Sequence, residues 1–191
     1  MRSIEIVRNA LSAREPRLVA GSNRAAVAIV LHDTPTGVDL LLIERARRFG
    51  DPWSGQMAFP GGRVDARDRD DAAAAERETL EEVGLDLAGA ERLGRLDDVR
   101  AGIPLVAPLV LCAFVYRIEE RPALALNHEV EAAFWVASTT CAEPARHTGW
   151  SLGPLRLPGV CVGTPGRHVV WGLTYRLLDS LFGVVGAPFG R

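Results

Sequence analysis

The first half of the chain reads as short apolar runs rather than long amphipathic stripes. Ala25–Leu31 (AAVAIVL) is apolar over a strand's length, His32–Gly37 (HDTPTG) has turn composition, and Val38–Glu44 (VDLLLIE) is a second apolar run. Two such runs around a turn predict a β-hairpin. Before them, residues 1–17 predict a short helix ending near Pro16. After them, Arg45–Gly55 is a polar loop carrying Gly50, Pro52 and Gly55. Met57–Phe59 is long enough only for a brief strand, which Pro60, Gly61 and Gly62 are expected to stop. The charged loop Arg63–Asp71 offers Asp70 or Asp71 as an N-cap for Ala72–Val83, the strongest helix in the chain, which Gly84 closes. Further strands are predicted at Arg92–Leu96, Leu109–Ile118 and Ala132–Val136. Residues 139–166 are punctuated by Pro and Gly and read as irregular. Val169–Phe182 reads as a second long helix, or as a strand leading into one.

The pattern contains no repeat and no linker-like tract, so residues 1–191 are expected to form one domain. Its core spans about 25–182, with a short helical extension before it and an apolar tail after it. Of its residues, 48% are hydrophobic and 24% charged, enough to bury a sizeable core. The net charge of −2 provides no field that would draw nucleic acid or an anionic membrane. There is no Lys, which excludes a P-loop lysine, a Schiff base and a kinase-type lysine. Cys112, Cys141 and Cys161 are widely spaced and read as small buried apolar residues rather than zinc ligands or disulfide partners. Without a signal-like N-terminus or a spanning apolar run, the expected location is the cytoplasm.

The chemistry concentrates in Gly61–Leu85 (GGRVDARDRDDAAAAERETLEEVGL). At about 100° per residue, Glu78, Glu81 and Glu82 fall within roughly 100° of helical arc. Ala72, Ala73, Leu80 and Val83 are expected on the opposite, core-facing side. Clustered carboxylates repel one another unless a cation neutralises them, and hard oxygen ligands suit Mg²⁺ or Mn²⁺. Arg77, on the flank, can orient a carboxylate through a charge-assisted hydrogen bond. Pro60-Gly61-Gly62 lets backbone approach a ligand or metal closely. Other motifs fail on inspection: His128-Glu129 begins HExxH, but Ala132 stands where the second His belongs.

This segment resembles the Nudix box, G-x5-E-x7-R-E-U-x-E-E-x-G-U. Its second half is present in order as Arg77-Glu78-Thr79-Leu80-Glu81-Glu82-Val83-Gly84-Leu85, with Thr79 at a position that is usually bulky and apolar. In the first half, Asp68 stands in place of Glu and eight residues rather than seven separate it from Arg77. That expansion resembles the coenzyme A pyrophosphatase branch of the family. So do Gly55-Gln56-Met57-Ala58-Phe59-Pro60-Gly61-Gly62, followed by Asp65 and Asp68, and, farther on, Trp171-Gly172-Leu173-Thr174. Upstream, Leu42–Gln56 (LIERARRFGDPWSGQ) matches the branch's LLTxRSxxLRxHxGQ at Arg45, Gly55 and Gln56. It differs in having Ala46 for Ser and Trp53 where His is expected.

The resemblance implies an α/β/α sandwich around a mixed sheet. The hairpin and Leu109–Ile118 would lie at its centre, the acidic helix on one face and the Val169–Phe182 helix on another. It implies Glu78, Glu81 and Glu82 as metal ligands, with a carbonyl of Gly61 or Gly62 as a further one, and Mg²⁺ or Mn²⁺ as cofactor. Glu129, six residues before Trp135, is the candidate extra ligand or general base, with Glu131 the alternative. Arg45, Arg47 and Arg48 can hold phosphates, Gln56 falls in the matched stretch, and Trp53 can stack on an adenine. The implied reaction is hydrolysis of the pyrophosphate bond in a nucleoside diphosphate linked to another group. Coenzyme A or a derivative leads as substrate; ADP-ribose, NADH or another nucleotide is the alternative. A catalytically silent binding module of the same fold is the alternative class, but it has no need of three mutually repelling carboxylates. A homodimer is the family's expectation, and the apolar Leu181–Phe189 (LFGVVGAPF) could cover its interface or pack on its own domain.

Overall fold

The computed structural model describes residues 1, 3–50, 53–101 and 108–190. Pro52, one of the loop residues singled out above, lies outside them. In chain order the elements begin with α1 (Ile4–Ser12), β1 (Arg24–Thr34), β2 (Gly37–Arg45), β3 (Met57–Ala58), β4 (Gly61–Arg63) and α2 (Asp71–Val83). They continue with β5 (Glu91–Arg95), β6 (Val99–Ala101), β7 (Leu109–Ile118), β8 (Val130–Ala137) and α3 (Ser138–Ala142). The last are β9 (His147–Leu152), β10 (Leu155–Cys161), β11 (Val169–Trp171) and α4 (Gly172–Val184).

The large sheet is mixed and runs β3-β2-β1-β7-β5, with β4 on β1, β6 on β7 and β8 on β2. The hairpin β1–β2 is antiparallel, with Leu31 opposite Leu40, whereas β1 and β7 run parallel from Arg24/Val110 to His32/Ile118. These central strands are apolar on both faces, which is why they read as unbroken runs rather than alternating ones. Ala26, Ala28 and Val30 of β1, with Cys112, Phe114 and Tyr116 of β7, pack under α2. Ile29 and Leu31, with Ala113 and Val115, face α1 and α4 on the other side. This is the expected α/β/α sandwich. The small side chains are distributed with purpose: Ala72, Ala74 and Ala75 of α2 meet Ala26 and Ala28, so helix and sheet approach closely.

Several expectations need correction. Helix α1 is part of the core rather than an appendage, because Ile4, Val7 and Leu11 are buried against the sheet and Ile4 N–H donates to Asp33. Pro60-Gly61-Gly62 does not end the local strand structure: Gly61–Arg63 pairs antiparallel with β1, Gly61 opposite Val27. Residues 139–166 contain a hairpin, β9–β10, whose two-residue loop has Gly153 at φ +56° followed by Pro154. A glycine first in a two-residue loop is a recognisable hairpin signal. With β11 this hairpin makes a second, three-stranded sheet. The apolar tail turns inward, Phe189 packing on Phe182 at 4.9 Å between ring centroids, so it covers its own domain. No described helix is long and apolar enough to cross a membrane.

The ends of α2 are set by local chemistry. Asp70 is the N-cap, its carboxylate accepting from Ala73 N–H at 2.8 Å, and Gly84 closes the helix at φ +69° with its N–H on the Leu80 carbonyl. Asp71, the other candidate, instead pairs with Arg24. Asp70→Ala is expected to lower stability by about 1 kcal/mol, read from urea unfolding at unchanged m-value.

Candidate active site

The carboxylates of α2 do not all stand opposite its core face. The helix buries Ala72, Ala74, Ala75, Thr79, Glu82 and Val83, while Leu80, expected inside, is half in solvent. The inward stripe follows the sheet-facing alanines, and Thr79 joins it by donating its hydroxyl to the Ala75 carbonyl at 2.7 Å. Glu82 therefore points inward, Glu78 sits at the boundary and Glu81 is exposed.

Strand β4 brings backbone against this ridge. Gly61 N–H donates to Glu82 Oε2 at 2.8 Å. A Cβ on Gly62 would fall into the Glu78 carboxylate, so a larger residue there would push that side chain aside. Arg77 ties the helix to the loop in front of it. It binds both oxygens of Asp68 at 2.9 and 3.0 Å, the Arg63 carbonyl at 3.1 Å, Glu78 at 2.8 Å and Glu81 at 3.2 Å. Its guanidinium holds the Asp68 carboxyl below the usual carboxylate range.

Glu82 is 2% exposed, and burial pushes its carboxyl up to about 7. Glu78 and Glu129 add to the rise by repulsion, whereas the Gly61 N–H and Arg45, 4.0 Å away, oppose it. Glu129 is brought here by the chain before β8. Ala125 N–H bonds the Val83 carbonyl, Asn127 N–H bonds the Glu82 carbonyl, and Asn127 Oδ1 accepts from Glu129 N–H. Of the two alternatives, Glu129 acts electrostatically on Glu82, and Glu131 on Arg167.

The substrate candidates divide. Arg45, Trp53, Gln56 and Gly62 line one cavity of about 410 Å³, together with Trp171, Gly172, Leu173 and Thr174 at the start of α4. Arg48 is absent from the described lining. It binds Glu129 at 3.2 Å and the His128 carbonyl at 3.5 Å, because its loop folds back over that segment.

Oxygen donors of the hard type that Mg²⁺ and Mn²⁺ prefer are gathered here in Glu78 and Glu82, with the β4 glycines against them. The donor set and the glycine cradle fit such an ion. Among the described residues, however, no three His, Cys, Asp or Glu side chains are arranged to hold one. Arg77 binds one oxygen each of Glu78 and Glu81, and Gly61 N–H binds one of Glu82, which leaves each carboxylate a second oxygen.

Sequence reading missed Glu44. Its carboxylate is fully buried and accepts two bonds of 2.9 Å from Arg167, with His168 Nε2 at 3.4 Å. The signal was a carboxylate ending an apolar run, but nothing local names a partner 123 residues away. Arg167 holds this carboxyl below its ordinary value of 4.5. The unfolded chain therefore takes up the proton first. The pair's stabilisation is complete above that value and is lost as pH falls through the lower folded one. The stability gap between the wild type and Glu44→Gln should thus shrink as pH drops below 4.5, measured by urea unfolding across pH.

Comparison with known proteins agrees with this arrangement. A family model for the NUDIX domain matches residues 22–153, more than half of the chain. An uncharacterised Schizosaccharomyces pombe protein, C14C4.10c, is 42% identical over 101 residues, covering 50% of this chain and 31% of its own. A probable nudix hydrolase of the same yeast, C6G9.05, is 45% identical over 61 residues, covering 32% of this chain and 21% of its own. The matches thus span about a third and a fifth of these relatives' lengths. Among solved structures, a MutT/nudix family protein from Enterococcus faecalis superposes with a TM-score of 0.58 at 18% identity, over 92% of this chain and 66% of the other. The NUDIX domain of Shewanella oneidensis NrtR, complexed with ADP ribose, gives 0.50 at 17% identity over 67% and 77%. A Caenorhabditis elegans Ap4A hydrolase gives 0.50 at 18% over 61% and 80%. From its sheet order to its acidic helix and the family model spanning both, this chain belongs to the Nudix family.

Proposed function

We propose that the protein is a divalent-metal-dependent pyrophosphohydrolase acting on a nucleoside diphosphate linked to a second group, with coenzyme A or a derivative as the substrate. The observation that carries this reading is the buried Glu82 carboxylate. It is set beside Glu78 and Glu129; Arg45, 4.0 Å from it, and Gly62, against Glu78, line the neighbouring cavity.

Glu78, Glu81 and Glu82, with a carbonyl of Gly61 or Gly62, would hold Mg²⁺ or Mn²⁺. Such an ion, when bound, neutralises phosphate oxygens and acidifies a bound water. Arg45 projects into the cavity and orients the diphosphate by charge-assisted hydrogen bonds. Glu129, near Glu82 and paired with Arg48, accepts the proton from the attacking water. Arg77 touches no substrate; it positions Glu78 and Glu81 while anchored on Asp68. No covalent nucleophile is required, in keeping with the absence of Lys.

The coenzyme A reading is supported by where its matching residues fall. Gln56, Met57 and Ala58 from one matched stretch and Trp171–Thr174 from the other, over a hundred residues apart in sequence, line the same cavity. Products released from coenzyme A, ADP-ribose, NADH and diadenosine polyphosphates with Mg²⁺, separated by chromatography, test the reading. The expected products are 3′,5′-adenosine diphosphate and 4′-phosphopantetheine. No release from coenzyme A with brisk release from another compound would reject the substrate, and no release from any would reject the activity.

A further inference from the structure

Two sheets meet beside the cavity, and a buried carboxylate ties them. Glu44 is fully buried on β2. Its neighbour in the chain, Arg45, lines the cavity, and so does Met57, its partner on β3. The groups that reach it, Arg167 and His168, stand just before β11. The last residue of β11, Trp171, begins another wall of the cavity, Trp171–Thr174.

The turn that carries Arg167 and His168 is a closed unit. Their two N–H groups both bond the Thr164 carbonyl, at 3.2 and 2.9 Å, and Val162 N–H bonds the His168 carbonyl at 2.9 Å. His168 Nδ1 accepts from Thr164 N–H at 3.0 Å, so in the neutral ring the proton sits on Nε2, which faces Glu44 at 3.4 Å. The same ring packs on Phe134 of β8, 4.7 Å between centroids. Arg167 completes the seat with its two bonds of 2.9 Å to Glu44. Whatever holds Arg167 therefore holds the turn, and the turn leads through β11 into the cavity wall. Past it, α4 starts at Gly172, φ +63°, with no capping bond from the Trp171 side chain.

A buried ion pair adds little net stability over an apolar contact of the same volume. What it adds is geometry: a fork of two bonds on a carboxylate fixed in a strand allows one seating, where hydrocarbon allows several. Neither Glu44 nor Arg167 is among the described residues that line the cavity.

We infer that Glu44, with Arg167 and His168, is a positioning residue: it seats the turn before β11 on β2 and so sets where Trp171–Thr174 stand, governing substrate affinity without touching substrate. The inference rests on the hydrolase reading above.

Initial rates on the full chain with Mg²⁺ test it, using whichever of the diphosphates named above the wild type cleaves fastest. Arg167→Leu is expected to raise KM about tenfold with kcat within about twofold of wild type. Arg167→Lys keeps the charge but not the fork, and should bring KM back to about threefold above wild type. The double variant Glu44→Gln, Arg167→Leu removes the buried charge that the single change strands and leaves an oxygen for His168. It should melt near the wild-type temperature and keep the raised KM. A pair that serves stability alone predicts the opposite. KM unchanged in folded Arg167→Leu, or restored in the double variant, overturns the assignment. A second readout needs no turnover: Arg167→Leu should speed amide hydrogen exchange over residues 169–175 about tenfold and leave α2 unchanged. Equal exchange in variant and wild type overturns the seating. A wild type that cleaves no diphosphate removes the hydrolase reading instead, and the exchange result still decides the seating.

Discussion

Glu82→Gln should lower kcat by about a thousandfold, within the range set by loss of a positioned charged group in a metal-assisted hydrolysis. The substitution keeps the size of the side chain and an oxygen that can accept from Gly61 N–H, 2.8 Å away in the wild type. It removes the negative charge that burial, Glu78 and Glu129 all oppose. The metal-free variant is therefore expected to melt at or above the wild-type temperature while its turnover collapses. A structural role alone predicts the reverse, lost stability with activity falling only in proportion. Steady-state kinetics at saturating Mg²⁺, with a melting curve of the same preparation, separate the two. Full turnover in the variant would remove Glu82 from the machinery.

Gly61→Ala should cost about 3 kcal/mol of stability and disable the site together. Gly61 has φ +150°, and a Cβ there would strike the Ala26 carbonyl oxygen and the Val27 backbone. The neighbouring strand is central and packed on both faces, so it cannot withdraw. Relief has to come from β4 itself, and β4 carries the N–H that orients Glu82. A useful control is Gly186→Ala, where φ is +62° and nothing lies within 4 Å of the added carbon. That change bears only the left-handed backbone strain, about 1 kcal/mol, and should leave kcat intact. Urea unfolding of both variants gives the comparison.

What could be read from the sequence depended on whether the signal was local. Asp70 and Gly84 delimit α2 through bonds within four residues, and β7 is an apolar run whose ends match the prediction. The spacing of Arg77, Glu78, Glu81 and Glu82 was legible because helical geometry is periodic. Its rotation was not: whether Leu80 or Thr79 faces inward depends on which alanines meet Ala26 and Ala28 across the sheet. Strand β4 was hidden because Gly61 and Gly62 carry no β propensity. They pair with β1, where a Cβ on Gly61 would strike the Ala26 carbonyl and the Val27 backbone. Arg48 looked like a phosphate ligand among three neighbouring arginines, yet Glu129, far along the chain, claims it. The Glu44–Arg167 pair, with His168 alongside, is legible only in three dimensions.

In the function proposed above, the inner ridge of α2, facing Gly62, binds a divalent cation. Crystals grown with Mn²⁺ and measured at a wavelength where manganese scatters anomalously test it most directly. The expected result is an anomalous peak between Glu78, Glu82 and the β4 glycines, with Arg77 still seated on Asp68. Active protein whose crystals show no peak on that ridge, at saturating Mn²⁺, would contradict it.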